Sequence, residues 1–168
     1  MDEGVGVYAA KYLEQNYDID ADIVDGGTLG FKLMRYYQEY EKVIILDTVS
    51  IEDEPGSIYN LPSDVLLGLG TYKKTAHEVE VVEMLEICSL LERIAKVNII
   101  GIVPQDIESV KIDLTDTMKR NFNALIAETL KELERDGIGY RKKADVSLEA
   151  IIEAYANPTM KALHDFEI

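Results

Sequence analysis

The sequence has little cysteine, few basic residues and no long apolar run. Its 168 residues include one cysteine, Cys88, so neither an internal disulfide nor a thiolate metal cluster can form. Only 17 lysines and arginines accompany 32 acids, a net charge of −15, which argues against a nucleic-acid partner and favours a basic surface or a cation. Neither a membrane span of about 18 apolar residues nor a secretory signal is evident. We therefore expect a cytoplasmic protein that contacts neither nucleic acid nor membrane.

The apolar residues that are present recur at the spacings of helices and strands. Hydrophobic residues make up 47% of a chain of 18.9 kDa, which is enough to bury the core of one folded domain. The continuous run at 42–47 indicates a strand buried on both faces, and the segment after Pro55-Gly56 indicates a short antiparallel strand. The periodicity predicts helices over 5–13, 29–37, 77–94, 116–136 and 147–156, and strands over 19–25, 42–47, 57–61 and 96–103.

Strands that alternate with helices imply parallel crossovers, and we predict an α/β three-layer sandwich with a mostly parallel twisted sheet. Such a domain usually begins on a central strand, whereas this sequence begins on the helix that should follow it. We therefore expect that the first, central strand is missing from the chain. We assign residues 1–143 to the α/β domain. The basic segment "YRKKAD" is predicted to be a hinge, followed by a C-terminal helical extension over 144–168.

Three polar side chains are expected at the carboxyl ends of the strands, where such sheets bind their ligands. Glu3 lies at the start of the first helix, Asp47 ends a strand, and His77 begins a long helix. Two carboxylates and one imidazole suit a divalent transition metal, which can polarise a carbonyl or activate water.

Each of these residues also has an ordinary structural interpretation. Acids such as Asp2 in a first helical turn often only complement the helix dipole, and Asp47 at a strand end often caps a loop. A histidine such as His77 in a first turn is often just a surface residue, and Cys88 lies in an apolar helical stripe typical of core packing. The "DGGT" segment can be a turn with glycines at positive φ. Spacing alone leaves these alternatives open.

The ordered set of segments resembles a known family. "DEGVGVYAAKYLE", "DGGTLGFKL", "VIILDTVS", "PGSIYNL", the His77 helix and "IIGIVPQDI" occur in the order found in the nickel–iron hydrogenase maturation proteases, and the likeness extends from Met1 to about Tyr140. The resemblance implies a cytoplasmic endopeptidase. It would remove the C-terminal extension of the large-subunit precursor of a nickel–iron hydrogenase once nickel has been inserted.

The resemblance also implies roles for particular residues. The family's metal-contacting trio falls on Glu3, Asp47 and His77, which are the implied catalytic and metal-binding residues. The nickel is supplied by the substrate, and cadmium or zinc is expected to substitute for it in vitro. No serine or cysteine nucleophile is implied. Substrate recognition falls on the loop Asp25, Gly26, Gly27 and Thr28.

This sequence departs from the family pattern at both ends. Relatives carry an apolar strand and a glycine-asparagine loop before the Asp-Glu pair, and residues from about Ala144 onward extend past the usual end. Two alternatives stay open. One is an inactive truncated form of the protease, and the other is a non-enzymatic, metal-binding receiver-like α/β module, which also places acids at the first helix and an Asp at a strand end. The oligomeric state is not indicated by the sequence.

Overall fold

The structure, a computed structural model, describes residues 1–26, 34–62 and 95–157. Within these ranges helices alternate with strands, as the periodicity predicts. An N-terminal turn of 3-10 helix, Asp2–Gly4, leads directly into helix α1, Val5–Asn16. The other helices are α2 (Met34–Glu39), α3 (Asp116–Arg135) and α4 (Leu148–Ala156). The strands are β1 (Tyr17–Ile19), β2 (Lys42–Thr48), β3 (Ile58–Pro62), β4 (Lys96–Ile102) and β5 (Tyr140–Lys142).

The larger sheet of the described chain has the strand order β2-β4-β3. β2 runs parallel to β4, with Thr48 opposite Ile102, and β3 runs antiparallel to β4, with Ile58 opposite Ile102. β4 is buried from Val97 to Ile102, whereas β2 is only partly buried from Lys42 to Asp47. The prediction that β2 is buried on both faces holds only in part: Ile44 and Leu46 pack against one apolar cluster and Val43 and Ile45 against the other, but none of the four is fully buried.

Both faces of the larger sheet carry apolar side chains. Successive side chains of a strand point to opposite faces, and on β4 Val97 and Ile99 join one cluster, which includes Tyr37 of α2. Ile100 and Ile102 join the other cluster, to which α1, α3 and α4 contribute. The α/β class is thereby confirmed. No helix among the described residues is long and apolar enough to cross a membrane.

The helix boundaries follow local signals in the sequence. α3 begins after Thr115, as predicted, and the chain leaves it through Gly137, whose φ of +69° is the left-handed conformation that glycine adopts readily. α4 begins after Ser147, whose hydroxyl accepts a hydrogen bond from the Ala150 N–H at 3.1 Å. These helix boundaries are therefore encoded by single residues.

The two short strands differ from the prediction. The strand expected over 19–25 is replaced by β1, which ends at Ile19 and pairs antiparallel with β5 in a separate two-stranded sheet. β5 lies within the "YRKKAD" segment, so the hinge predicted there is wrong over Tyr140–Lys142. β1 is short because its pairing partner, β5, is only three residues long. The described sheets are mixed, with β2–β4 parallel and the other two pairs antiparallel.

The C-terminal helix α4 packs onto the main cluster. Leu148, Ile151 and Ile152 are buried there, and the carboxamide of Asn16 holds the preceding segment, donating to the Val146 carbonyl at 3.0 Å and accepting from its N–H at 2.6 Å. The division of the chain at residue 143 stays a prediction.

A buried ion pair holds the amino end of β2 to α3. The Lys42 ammonium donates to Glu132 at 2.9 Å, and both side chains are largely shielded from solvent, with exposed fractions of 11% and 8%. Burial alone would raise the pKa of the Glu132 carboxyl, but hydrogen bonds from Lys42, Arg135 and Asn60 outweigh it and lower that pKa from 4.5 to about 2. Desolvated charges need such complete pairing.

This pair predicts acid-sensitive stability. Because the Glu132 pKa is lower in the folded protein, the carboxylate stabilises the fold above about pH 4.5, and the contribution is lost as the pH falls toward 2. We expect Glu132→Gln to lower the free energy of unfolding by about 3 kcal/mol at pH 7, and by much less at pH 2.5. Urea unfolding at both pH values measures this difference. Glu153→Gln, at an exposed position of α4, is the control. An equal loss at both pH values would contradict the prediction.

Candidate active site

A cavity of about 310 Å³ lies alongside β2. Its wall combines one side of α1, the segment that follows β1, residues of α2, and every residue of β2 from Lys42 to Asp47. Most of the lining is apolar, which is typical of ligand sites with a few placed polar groups. Among the described residues, four acidic ones line this cavity: Glu3, Asp22, Asp25 and Asp47.

Glu3 reaches the cavity from the N-terminal turn. Its side chain is half exposed, at 51%, and its carboxylate lies 3.2 Å from the amino group of Met1. The turn leads straight into α1, so the position of Glu3 is set by whatever anchors the start of that helix. The side chain is therefore accessible from solvent.

Asp47 lies near the carboxyl end of β2, where parallel strands bring their ligand-binding residues. It stands opposite Gly101 of β4 in the sheet register. One oxygen of its carboxylate, Oδ1, accepts a hydrogen bond from the Thr48 N–H at 2.8 Å. The structure therefore brings Glu3 and Asp47, which lie 44 residues apart in the sequence, to the same cavity.

The recognition loop predicted from "DGGT" begins at this cavity. Asp25 and Gly26 line it, and Asp25 also lies near α4: burial raises the pKa of Tyr155, and the Asp25 charge raises it further. Gly27, Thr28 and His77 lie outside the described residues. Over 1–26, 34–62 and 95–157 no three histidine, cysteine or acidic side chains are grouped to hold a metal ion. The metal trio of Glu3, Asp47 and His77 stays a prediction.

Gly6 explains part of the "DEGVG" motif in physical terms. A Cβ atom added to Gly6 would overlap the backbone carbonyl oxygen of Leu46 on β2. A Cβ on Gly4 would meet only the Tyr8 ring, at 3.1 Å, and a side chain can move where backbone cannot. Gly6 therefore lets α1 approach β2 closely, and this approach forms one wall of the cavity.

Asp2 is the residue whose role the sequence does not indicate. The ordinary interpretation of Asp2 is that it complements a helix dipole, but it is fully buried and accepts hydrogen bonds from Gln105, Asp106 and Thr115. These donors lie more than 100 residues further along the chain, so no local pattern could have shown them.

The structure is that of an α/β protein with acidic residues along a cavity beside a parallel strand pair. A sequence profile described as hydrogenase maturation protease matches residues 7–132. The chain belongs to the hydrogenase maturation protease family and is a hydrogenase maturation endopeptidase. The resemblance noted in the sequence is confirmed, and the receiver-like alternative is not supported.

Individual relatives give the same result. The chain is 28% identical over 141 residues to the hydrogenase 2 maturation protease of Escherichia coli K12, covering 82% of this chain and 85% of that protein. It is 26% identical over 154 residues to the hydrogenase expression/formation protein HupD of Rhodobacter capsulatus, with 89% and 73% covered. The solved structure of the hydrogenase maturating endopeptidase HybD of E. coli matches with a TM-score of 0.77 at 26% identity, over 87% of this chain and 92% of that one.

The contact at Gly6 is testable with a matched pair of variants. We expect Gly6→Ala to destabilise the protein by about 1–3 kcal/mol, because the added methyl group forces α1 away from the β2 backbone. Gly4→Ala makes the same chemical change one helical half-turn away, where only a ring must move. Thermal unfolding of both variants measures the difference. Equal stability of the two would mean that α1 does not depend on this close approach.

Proposed function

We propose that the cavity beside β2 is the site at which the protein recognises and processes its substrate, the large-subunit precursor of a nickel–iron hydrogenase. The protein removes the C-terminal extension of the precursor in the cytoplasm. Glu3 and Asp47 contact the nickel of the precursor together with His77. The observation that supports this proposal is that Glu3 and Asp47 line one cavity although the sequence separates them.

The donor atoms fit a metal carried by the substrate. Carboxylate oxygens and an imidazole nitrogen are ligands that nickel and zinc accept, and a bound metal polarises a neighbouring carbonyl group. In this proposal Glu3 and Asp47 orient the metal-bearing end of the precursor. The net charge of −15 also favours a cationic centre over an anionic one.

We propose that the peptide next to the metal passes the segment that begins at Asp25. Asp25 and Gly26 share the cavity with Glu3 and Asp47, so a chain held by the metal passes close to them. We propose that Asp25, Gly26, Gly27 and Thr28 recognise the precursor, with the glycines allowing close approach of its backbone.

We further propose that the larger sheet accepts one more strand beside β2, completing a three-layer arrangement. Two observations support it. Among the described strands β2 lies at an edge of the β2-β4-β3 sheet, and the cavity runs along β2 from Lys42 to Asp47. A strand of about six residues spans roughly 20 Å, which is close to the length of β2 itself.

The strand proposal predicts a gain of stability on extension. A form that carries about six apolar residues and a glycine-containing loop ahead of Met1 should melt at a higher temperature, because β2 gains a hydrogen-bonded neighbour. A matched form with a polar glycine-serine extension of equal length is the control. If the two melt alike, the position beside β2 does not take a strand. Processing assays on both forms also distinguish an active enzyme from an inactive truncated one.

The proposed metal contacts predict a loss of processing without loss of fold. Glu3→Gln, Asp47→Asn and His77→Ala should each slow cleavage of nickel-loaded precursor by at least the roughly 10- to 100-fold that loss of an outer-shell partner costs, because each removes a metal-binding atom itself. Cleavage is followed as the mass shift of the precursor, and circular dichroism reports the fold. Asp20→Asn, at an exposed site outside the cavity wall, is the control. Full activity in any of the three variants would remove that residue from the site.

A further inference from the structure

Asp2 makes an unusually complete set of hydrogen bonds for an acidic side chain. Its Oδ2 atom accepts from the N–H groups of Gln105 and Asp106, both at 2.9 Å, and from the Thr115 hydroxyl at 3.0 Å. Its Oδ1 atom accepts from the Thr115 N–H at 2.9 Å. The residue is fully buried, and all four donors are uncharged. A buried carboxylate is tolerated when its lone pairs are satisfied in this way.

The donor pattern selects a carboxylate over an amide of the same shape. An asparagine has one acceptor oxygen and one NH₂ group that only donates. In one orientation its NH₂ group would face the Thr115 N–H, and in the other it would face the N–H groups of Gln105 and Asp106. Either orientation leaves at least one buried donor facing another, which costs stability.

These bonds join three separate parts of the chain. Asp2 belongs to the N-terminal turn, Gln105 and Asp106 follow β4, and Thr115 starts α3. The Asp2 N–H also donates to the Asp106 carbonyl at 2.8 Å, so backbone and side chain hold the same segment. Together these bonds fix the position of the N-terminal turn that carries Glu3.

The segment that receives Asp2 is itself well ordered by local bonds. The Asp106 carboxylate, through Oδ1, accepts from the N–H groups of Glu108 at 3.0 Å and Ser109 at 2.9 Å. Asp2 is thus anchored to a loop whose shape is already defined. Glu3, the next residue along the chain, lines the cavity with Asp47.

We propose that Asp2 is a positioning residue for the processing site. Its buried carboxylate fixes the N-terminal turn to the end of β4 and to the start of α3, and in this way sets where the Glu3 carboxylate stands relative to Asp47. Asp2 does not touch the substrate. This inference rests on the proposed metal-contacting role of Glu3.

The test compares five variants of the full chain with Cd²⁺ alone as the probe. Isothermal titration gives the Cd²⁺ affinity, and amide hydrogen exchange reports the N–H groups of Gln105, Asp106 and Thr115. For Asp2→Asn we expect exchange at these amides to accelerate and Cd²⁺ affinity to fall by about 10- to 100-fold, as when an outer-shell partner of a ligand is lost. Glu3→Gln should lower the affinity while exchange at the three amides stays unchanged.

Three further variants complete the comparison. Thr115→Val removes only the hydroxyl donor to Asp2, so it should show the Asp2→Asn effects in weaker form and serves if Asp2→Asn does not fold. Asp20→Asn, an exposed acid, should change neither affinity nor exchange. Thr115→Ser, which keeps the hydroxyl, should restore the affinity lost in Thr115→Val.

The outcomes separate the two proposals. Faster amide exchange with unchanged Cd²⁺ affinity in both Asp2→Asn and Thr115→Val, alongside reduced affinity in Glu3→Gln, would overturn the positioning role and leave the proposed function intact. Unchanged affinity in Glu3→Gln would overturn the role of Glu3 and the Asp2 inference with it. Reduced Cd²⁺ affinity in Asp2→Asn, Thr115→Val and Glu3→Gln, with amide exchange altered only in Asp2→Asn and Thr115→Val, supports the positioning role.

Discussion

The arrangement of the cavity beside β2 depends on the hydrogen bonds of the Asp2 carboxylate. This carboxylate is a buried charge whose hydrogen-bonding partners are backbone N–H groups and one hydroxyl. Backbone donors cannot change rotamer, so they define the position of the carboxylate more narrowly than flexible lysine or arginine side chains would. Because α1 begins directly after the turn that contains Asp2, the position of this carboxylate fixes where the helix begins. Gly6 then allows the helix to lie against the β2 backbone. The cavity is the space that remains beside that contact.

Much of the fold could be predicted because its signals are local. The periodicity of α1 and α3 marks their buried faces, and Thr115, Gly137 and Ser147 mark helix ends through their own backbone and side-chain chemistry. β3 follows a turn at Gly56, whose φ is +94°. These signals require no knowledge of the rest of the chain.

Strand pairing was less predictable because a strand is defined by its partner. The alternation from Ile19 to Ile23 is compatible with a long strand, yet β1 stops where β5 stops. β5 carries charged residues that suggest a hinge, although Arg141 forms an ion pair with Asp18 across the two strands at 3.2 Å. Sheet neighbours more than 100 residues apart leave no trace in either segment alone.

The candidate site shows the same contrast between single positions and tertiary contacts. The placement of Glu3 and Asp47 at one cavity follows from the general rule that ligands bind at the carboxyl ends of parallel strands. The burial of Asp2 and the pairing of Lys42 with Glu132 do not follow from any such rule, since a charged residue looks the same in a sequence whether it is solvated or enclosed. The structure was needed to distinguish them.

The position of Tyr155 on α4 near Asp25 has a practical consequence for spectroscopy. Tyr155 meets the ring of Tyr8 edge-on, with centroids 5.5 Å apart, and lies close enough to Asp25 to sense its charge. The sequence contains ten tyrosines and no tryptophan. A single indole introduced at position 155 would therefore be the only such fluorophore in the protein. Its emission would report directly on the environment of the loop that borders the cavity.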